Sequence, residues 1–254
     1  MISNSWGGLE PSEPLEDGIT DALEYGRNGK GCVVVFSAGN DDRPIINYPA
    51  SEIPDIIVVG AMSPCGERKK SSSCDGESFW GSNYGPELDI VAPGVKIPTT
   101  DLSGVAGYSS GDYFNSFNGT SSACPHVAGV AALLLSLRPE LFQKEVALAI
   151  SRSATKLPRY AFSVDREYGT WNQEVGYGLV NALETLKYIS EESDITYFED
   201  KDVTSDETVM GNIIYSKNVI IRSNAVLQFV FGQYVEINQP FTVEKGSGFL
   251  MTFR

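Results

Sequence analysis

Between Asn118 and Leu137 the sequence runs from Asn-Gly-Thr-Ser-Ser through Ala-Cys-Pro-His into Val-Ala-Gly-Val-Ala-Ala-Leu-Leu-Leu-Ser-Leu. Small polar residues that favour a turn give way at once to residues apolar on every side, the pattern of a loop entering a helix that is buried all round. Such a helix needs other elements packed about it, so it lies at the centre of its domain. The unbroken apolar part, Val127 to Leu135, is far short of the roughly 20 residues of a bilayer-crossing helix, and no membrane span is expected.

At the start of that helix Ser121 sits among backbone N–H groups without helical partners and at the positive end of the helix dipole. Negative charge developing beside its hydroxyl would be stabilised there, which suits a nucleophile. Thr120, Ser121 and Ser122 are equally suited to be plain helix-capping residues, and the local pattern leaves both readings open.

The wider motif separates them. Gly119-Thr120-Ser121-Ser122-Ala123-Cys124-Pro125-His126-Val127-Ala128-Gly129, followed by an apolar helix, resembles the nucleophile motif of the subtilisin-like serine proteases. The resemblance implies that Ser121 attacks the peptide carbonyl, and that Pro125 falls near the helix start, where a missing N–H costs least. It also implies a fold: α/β, with a doubly wound, mostly parallel sheet around a buried central helix.

Other stretches carry the same resemblance in chain order. Met1 to Gly8 is strand-like and similar to the family strand that pairs with substrate backbone, Ser-Trp-Gly resembling the variant in kexin-like members; Ser5, Trp6 and Gly7 are therefore candidate substrate-binding residues. Ile19, Ala22, Leu23 and Tyr25 recur at helical spacing until Asn28-Gly29-Lys30-Gly31 stops the helix. Cys32 to Phe36 is then an apolar, β-branched run typical of a parallel strand covered on both faces.

That strand delivers Ser37, Ala38, Gly39 and Asn40 at its carboxyl end, where ligands of α/β sheets bind. By the resemblance Asn40 is the oxyanion-stabilising amide, paired with the Ser121 backbone N–H, and Ser37, Ala38 and Gly39 line the substrate site. Read alone, Gly-Asn after a strand is an ordinary turn. Tyr48-Pro49-Ala50, Ile56 to Ala61, Ser82 to Gly94 and Gly176 to Ala182 continue the subtilase-like pattern, with an amphipathic helix over Phe142 to Ser153 and a last surface helix to about Ile189.

Charge and cysteines narrow the partners. A net charge of −14 argues against nucleic acid, which needs a basic face. The Arg68-Lys69-Lys70 cluster reads as solvated surface. The four cysteines form no CxxC pair and the single histidine is His126, so neither a metal site nor a cofactor is expected. Cys65 and Cys74 flank a polar loop and are spaced to close it as a disulfide worth about 2 to 3 kcal/mol. Cys32 and Cys124 read as small buried residues.

From Ser190 the composition changes. Residues 191–208 are rich in Asp and Glu and read as an acidic linker between a partial peptidase domain, 1–190, and a small all-β module, 209–254. In the module, apolar residues alternate from Val219 to Phe253, with turns at Ser223-Asn224, Gly232-Gln233, Asn238-Gln239-Pro240 and Gly246-Ser247-Gly248. Short strands about eight residues apart suggest a stacked β-roll or sandwich. The module resembles the β-rich C-terminal modules of secreted Bacteroidetes proteins, which implies an interaction or secretion role.

A subtilase also needs an Asp and a His upstream of the cleft strand, and this chain opens on that strand. His126 cannot serve: five residues beyond Ser121 on a helix it is rotated by about 140° and displaced by about 7.5 Å. The expectation is the C-terminal portion of a serine endopeptidase acting on polypeptides outside the cell or at its surface, inactive alone, with the N-terminal part of the same domain as partner. Its first residues show neither the charged nor the apolar run of a signal peptide, so none is expected within this stretch. Two other classes compatible with the sequence are a non-catalytic peptide-binding relative and an adhesion protein.

Overall fold

The computed structural model describes residues 1–8, 10–191 and 195–253. Two compact units divide it, Met1–Tyr188 and Ile189–Arg254.

The first unit is built on a five-stranded sheet. Three parallel strands, β1 (Ile2–Asn4), β2 (Val34–Ser37) and β3 (Ile57–Ser63), lie side by side, with β4 (Glu67–Arg68) antiparallel at the end of β3 and β5 (Ile90–Pro93) parallel to it. β2 and β3 are buried at every position, as covering on both faces requires. On one face Val34, Phe36, Val58 and Val91 join Leu23 in a single apolar cluster. Leu23 belongs to α1 (Glu13–Gly29), whose helical backbone breaks at Gly26–Asn28; a Cβ at Gly26 would lie 2.6 Å from the Cys32 sulfur, so the break lets β2 begin close by.

The alternate residues, Val35, Val59, Ala61, Ile90 and Ala92, are equally buried and face the other side. There α2 (Thr120–Leu137) crosses β1, β2, β3 and β5. This central helix departs from the all-round burial that its composition suggests. Ala123, Cys124, Val127, Ala131 and Leu134 are inaccessible, whereas Pro125, His126, Gly129, Ala132, Leu133 and Leu137 are exposed, Leu133 by 52% and Leu137 by 64%. The exposed set recurs at helical spacing, so one stripe of an apolar helix lies bare. By length and composition the 18-residue helix is apolar enough to cross a membrane, and half of that window is buried in its own unit.

Two small hairpins, β6 (Ile97–Thr100) with β7 (Tyr113–Phe117) and β8 (Val164–Arg166) with β9 (Gly169–Trp171), and two helices, α3 (Gln143–Arg152) and α4 (Ala182–Glu191), complete the elements up to 191. Cys65 and Cys74 are disulfide-bonded, with Cα atoms 6.2 Å apart. Inside the loop they close, Lys69 is wholly buried against Asp75, 2.7 Å away, and Arg68, only 5% exposed, pairs with Asp42 and Glu174. The basic cluster is thus internal at two of its three positions. Carboxylates brought in by the fold, invisible to a reading of local polarity, make that burial tolerable.

The second unit is a stack of four parallel strands, β10 (Ile195–Val203), β11 (Glu207–Ile221), β12 (Val226–Val243) and β13 (Gly248–Phe253). Parallel neighbours ordinarily need a crossover of a dozen or more residues, yet Ile221 and Val226 are separated by one tight turn. Each strand must therefore wind round on itself, as a solenoid coil does. Bulges at Gly211/Ile213 and Lys217/Val219 make the corners. The turns at Ser223-Asn224 and Gly246 are real, with positive φ. Gly232-Gln233 and Asn238-Gln239-Pro240 are instead bends within the continuous strand β12, because the ladder to β11 resumes beyond each of them.

The stretch read as an acidic linker is also different: most of its central part is strand β10, paired with β11. Phe198 and Val203 enter the core, while Asp200 and Asp202 face solvent and bind Asn218 and Arg222 of the next coil. An alternating strand with a charged outer face has the composition of a linker.

Candidate active site

The carboxyl end of β2 and the first turn of α2 meet at one point. Past Ser37 the chain turns through Gly39, whose φ of +109° is a glycine conformation, to the exposed Asn40. A Cβ at Gly39 would lie 2.4 Å from Asn83 Nδ2 and 2.6 Å from Asn47 Nδ2, so glycine is required twice over.

Thr120 fixes the Asn40 side chain. Its backbone N–H and its hydroxyl both donate to Asn40 Oδ1, at 2.8 and 3.0 Å, while Gly39 N–H donates to the same hydroxyl at 3.2 Å. With its oxygen held, the carboxamide presents Nδ2 outward, and no acceptor among the described residues takes it. The Ser121 backbone N–H is also without an acceptor among them, as the first amides of a helix are. The position a Cβ would occupy at Gly119 lies 3.4 Å from Asn40 Nδ2 and 3.5 Å from Ser121 N. Two donors with no acceptor among the described residues therefore stand near one point in the turn before Ser121, with Asn40 Oδ1, already taken by Thr120, 3.6 Å from it, at the positive end of α2.

None of the three hydroxyls before the apolar run caps the helix. Thr120 grips Asn40, Ser121 Oγ donates to Ser5 O at 3.3 Å, and Ser122 Oγ is buried without a partner. Ser5 answers by donating from its hydroxyl to Ser121 O at 2.9 Å. That carbonyl is open because Pro125, four residues on, has no N–H to give it. The proline thus does more than sit cheaply near a helix start: it frees the acceptor that ties the nucleophile turn to residues 5–7.

The remaining candidates flank this point. Asn4 pairs with Phe36 across β1 and β2, so residues 5–7 and 37–40 leave the sheet edge together. Trp6 is 41% exposed and packs edge-on against Phe36 at 5.0 Å. Gly7 is tight against Tyr48 O, 3.0 Å from where its Cβ would be. Ser37 and Ala38 are buried, and the Ala38 backbone is committed to Val59 O and Asn47 N; they form the wall behind the groove rather than its surface. His126 lies on the exposed stripe of α2 with Nδ1 2.8 Å from Ser122 O. Cys124 is buried under the cleft strand, within 3.5 Å of Ser3 Oγ and Asn4 O, and burial pushes its thiol up. It is not poised to react.

The sequence reading did not assign roles to Thr120 beyond a cap or to Asn83 at all. Both are fully buried polar residues, and only the quoted motifs containing them, Gly-Thr-Ser and Ser-Asn-Tyr-Gly, marked their neighbourhoods.

The chain is similar in sequence and fold to known proteases. The model of the subtilase family, Peptidase_S8, matches residues 1–178. A calcium-dependent protease of Nostoc sp. is 39% identical over 220 residues, an alignment covering 74% of this chain and 31% of that protein. Subtilisin DY of Bacillus licheniformis is 37% identical over 161 residues, covering 62% of this chain and 50% of the other. Among solved structures, proteases from Pseudoalteromonas arctica superpose with a TM-score of 0.55 at 28% identity, over 72% of this chain and 50% of theirs. The prenylagaramide maturation protease PagA gives 0.52 at 28% identity, over 74% and 61%. This chain thus spans less than two thirds of each of these relatives.

Proposed function

The chain belongs to the subtilase family, and from that premise we propose that it supplies the nucleophile and the oxyanion site of a serine endopeptidase. One observation carries the proposal: two N–H donors without an acceptor among the described residues, Asn40 Nδ2 and Ser121 N, lie 3.4 and 3.5 Å from one point in the turn that leads into Ser121. Residues 5–7 and the wall behind Gly39 hold a polypeptide substrate with its scissile carbonyl beside that point. Ser121 Oγ attacks the carbonyl carbon, and the developing oxyanion receives the two N–H groups. The acyl-enzyme forms as the amine leaves, and water releases it.

Proton transfer is the part this chain does not perform. Ser121 Oγ faces the Ser5 carbonyl, which can accept its hydrogen bond and cannot remove its proton. The Asp and His that a subtilase requires come from a separate segment of the peptidase domain, and the bare stripe of α2 together with the open edge of β1 is where that segment docks. Pro125, Ala132, Leu133 and Leu137 give it an apolar seat. The isolated chain is inactive by this account. The disulfide fits an oxidising compartment, in keeping with action outside the cell or at its surface, and the solenoid serves as an interaction or secretion module.

The test is to combine this chain with a subtilase segment carrying the Asp and His and to follow hydrolysis of a fluorogenic peptide. Turnover is expected only from the combination and is abolished by Ser121→Ala. Peptide affinity without turnover in the combination would contradict the proposal and favour a non-catalytic binding role.

A further inference from the structure

Asn83 is wholly buried, 43 residues beyond Asn40 in sequence, and the loop that carries Asn40 is wrapped around it. Its Oδ1 accepts from the backbone N–H of Asp41 at 2.8 Å and of Arg43 at 3.3 Å. Its Nδ2 donates to Asp41 Oδ2 at 3.2 Å and to Asn47 Oδ1 at 3.4 Å. Its own backbone N–H donates to Gly39 O at 2.9 Å. The residues on both sides of Asn40 are thus bound to one side chain and its backbone, while Asn40 itself is left for Thr120 to orient.

The loop is also held by Arg68 on Asp42, by Tyr84 N–H on Arg43 O and by Thr120 on Asn40, and Asn83 is distinguished by binding the backbone on both flanks of Asn40. Asp42 has a φ of +56° and Gly39 of +109°, so the turn contains two residues outside the ordinary backbone regions. Such a conformation persists only where its surroundings over-determine it. Asn83 accepts hydrogen bonds from two of the three backbone N–H groups of residues 41–43, and Gly81 O takes the third, Asp42 N–H, at 2.9 Å. Asn uniquely offers an acceptor for the two N–H groups and a donor for the Asp41 carboxylate on one short side chain.

We propose that Asn83 is a positioning residue for the oxyanion donor: it sets the Gly39–Arg43 turn so that Asn40 Nδ2 points into the space beside Ser121. The inference rests on the peptidase reading of Asn40. An oxyanion donor stabilises the transition state more than the bound substrate, so misplacing it lowers kcat and leaves KM nearly unchanged.

The experiment uses this chain combined with the Asp- and His-bearing segment. Asn83→Ala is expected to lower kcat by about 10- to 100-fold with KM within about twofold. The affinity of a peptide aldehyde, which mimics the tetrahedral state, should fall in proportion to kcat/KM, while the affinity of the product peptide is unchanged. Asn83→Asp, nearly isosteric, keeps both acceptor contacts but sets a second carboxylate against Asp41. Its kcat relative to wild type should rise as the pH is lowered from about 8 to about 5, as that carboxyl takes up a proton. Wild-type-like kcat in folded Asn83→Ala, or a change confined to KM, overturns the proposal. Should Asn83→Ala fail to fold, a pH-independent kcat ratio for Asn83→Asp overturns it. Absence of turnover in the wild-type combination would instead strike the peptidase reading itself.

Discussion

Asn40 and Thr120 lie 80 positions apart, yet two hydrogen bonds join them. Because Thr120 holds the carboxamide oxygen, substitutions at the two positions should act on the same quantity. In the combination with the missing triad members, Asn40→Ala should lower kcat on the order of 100-fold with little change in KM, the size of effect expected for loss of one oxyanion donor. Thr120→Val keeps the shape, removes the hydroxyl and leaves the backbone N–H alone to hold the amide; kcat should fall by about 10-fold, and the double variant should fall no further than Asn40→Ala alone. Additive losses in that cycle would show that Thr120 does not act through Asn40. At this scale Ser121 is proposed from a contiguous motif and Asn40 only through the resemblance, since Gly-Asn after a strand is also a common turn; what the structure adds is that the two turns meet. Thr120 and Asn83 act across the fold, and no local pattern reports a partner 80 residues away.

At the scale of elements, α2 has two different faces with different consequences. Leu134 is fully buried against the sheet, so Leu134→Ala should destabilise the chain by about 2–5 kcal/mol. Leu133, one residue earlier and half exposed, should matter little to the isolated chain, within about 0.5 kcal/mol for Leu133→Ala. A charged residue there, as in Leu133→Asp, should leave denaturant unfolding of the isolated chain nearly unchanged and abolish association with the triad segment, measured by analytical ultracentrifugation. Equal association of wild type and Leu133→Asp would place the seat elsewhere. The helix and the parallel strands were legible because apolar runs between polar turns have few alternatives, whereas the order of the strands came only from the fold. The bare stripe was not, since composition reports which residues are apolar and not what covers them. The solenoid was legible in its period and misread in its strand lengths, because bends inside a coil carry the same Gly, Asn and Pro residues as true turns.

At the scale of the molecule, stability in acid depends on the ion pairs around Arg68. Burial raises the carboxyls of Asp42 and Glu174. The Arg68 hydrogen bond to Asp42, and those of Lys70 and Arg68 to Glu174, outweigh it and hold both below their usual range. A carboxyl whose pKa is lowered by folding contributes stability that is present above the unfolded value, near 4, and is lost as pH falls through the folded value. The Tm should therefore drop steeply below about pH 4, and Asp42→Asn with Glu174→Gln should lower it at neutral pH while flattening that slope; parallel curves would show that these pairs do not govern acid unfolding. The second unit has its own apolar core, and as a separate module it should be dispensable for chemistry at Ser121.

That chemistry gives the most direct test of the whole account. A fluorophosphonate probe reacts with a serine only when its hydroxyl is activated, and intact-mass analysis reads the adduct. The isolated chain should remain unlabelled while the same chain combined with the Asp- and His-bearing segment acquires one adduct at Ser121. Rapid labelling of Ser121 in the isolated chain would contradict the account, since it would mean that a base is already present within these residues.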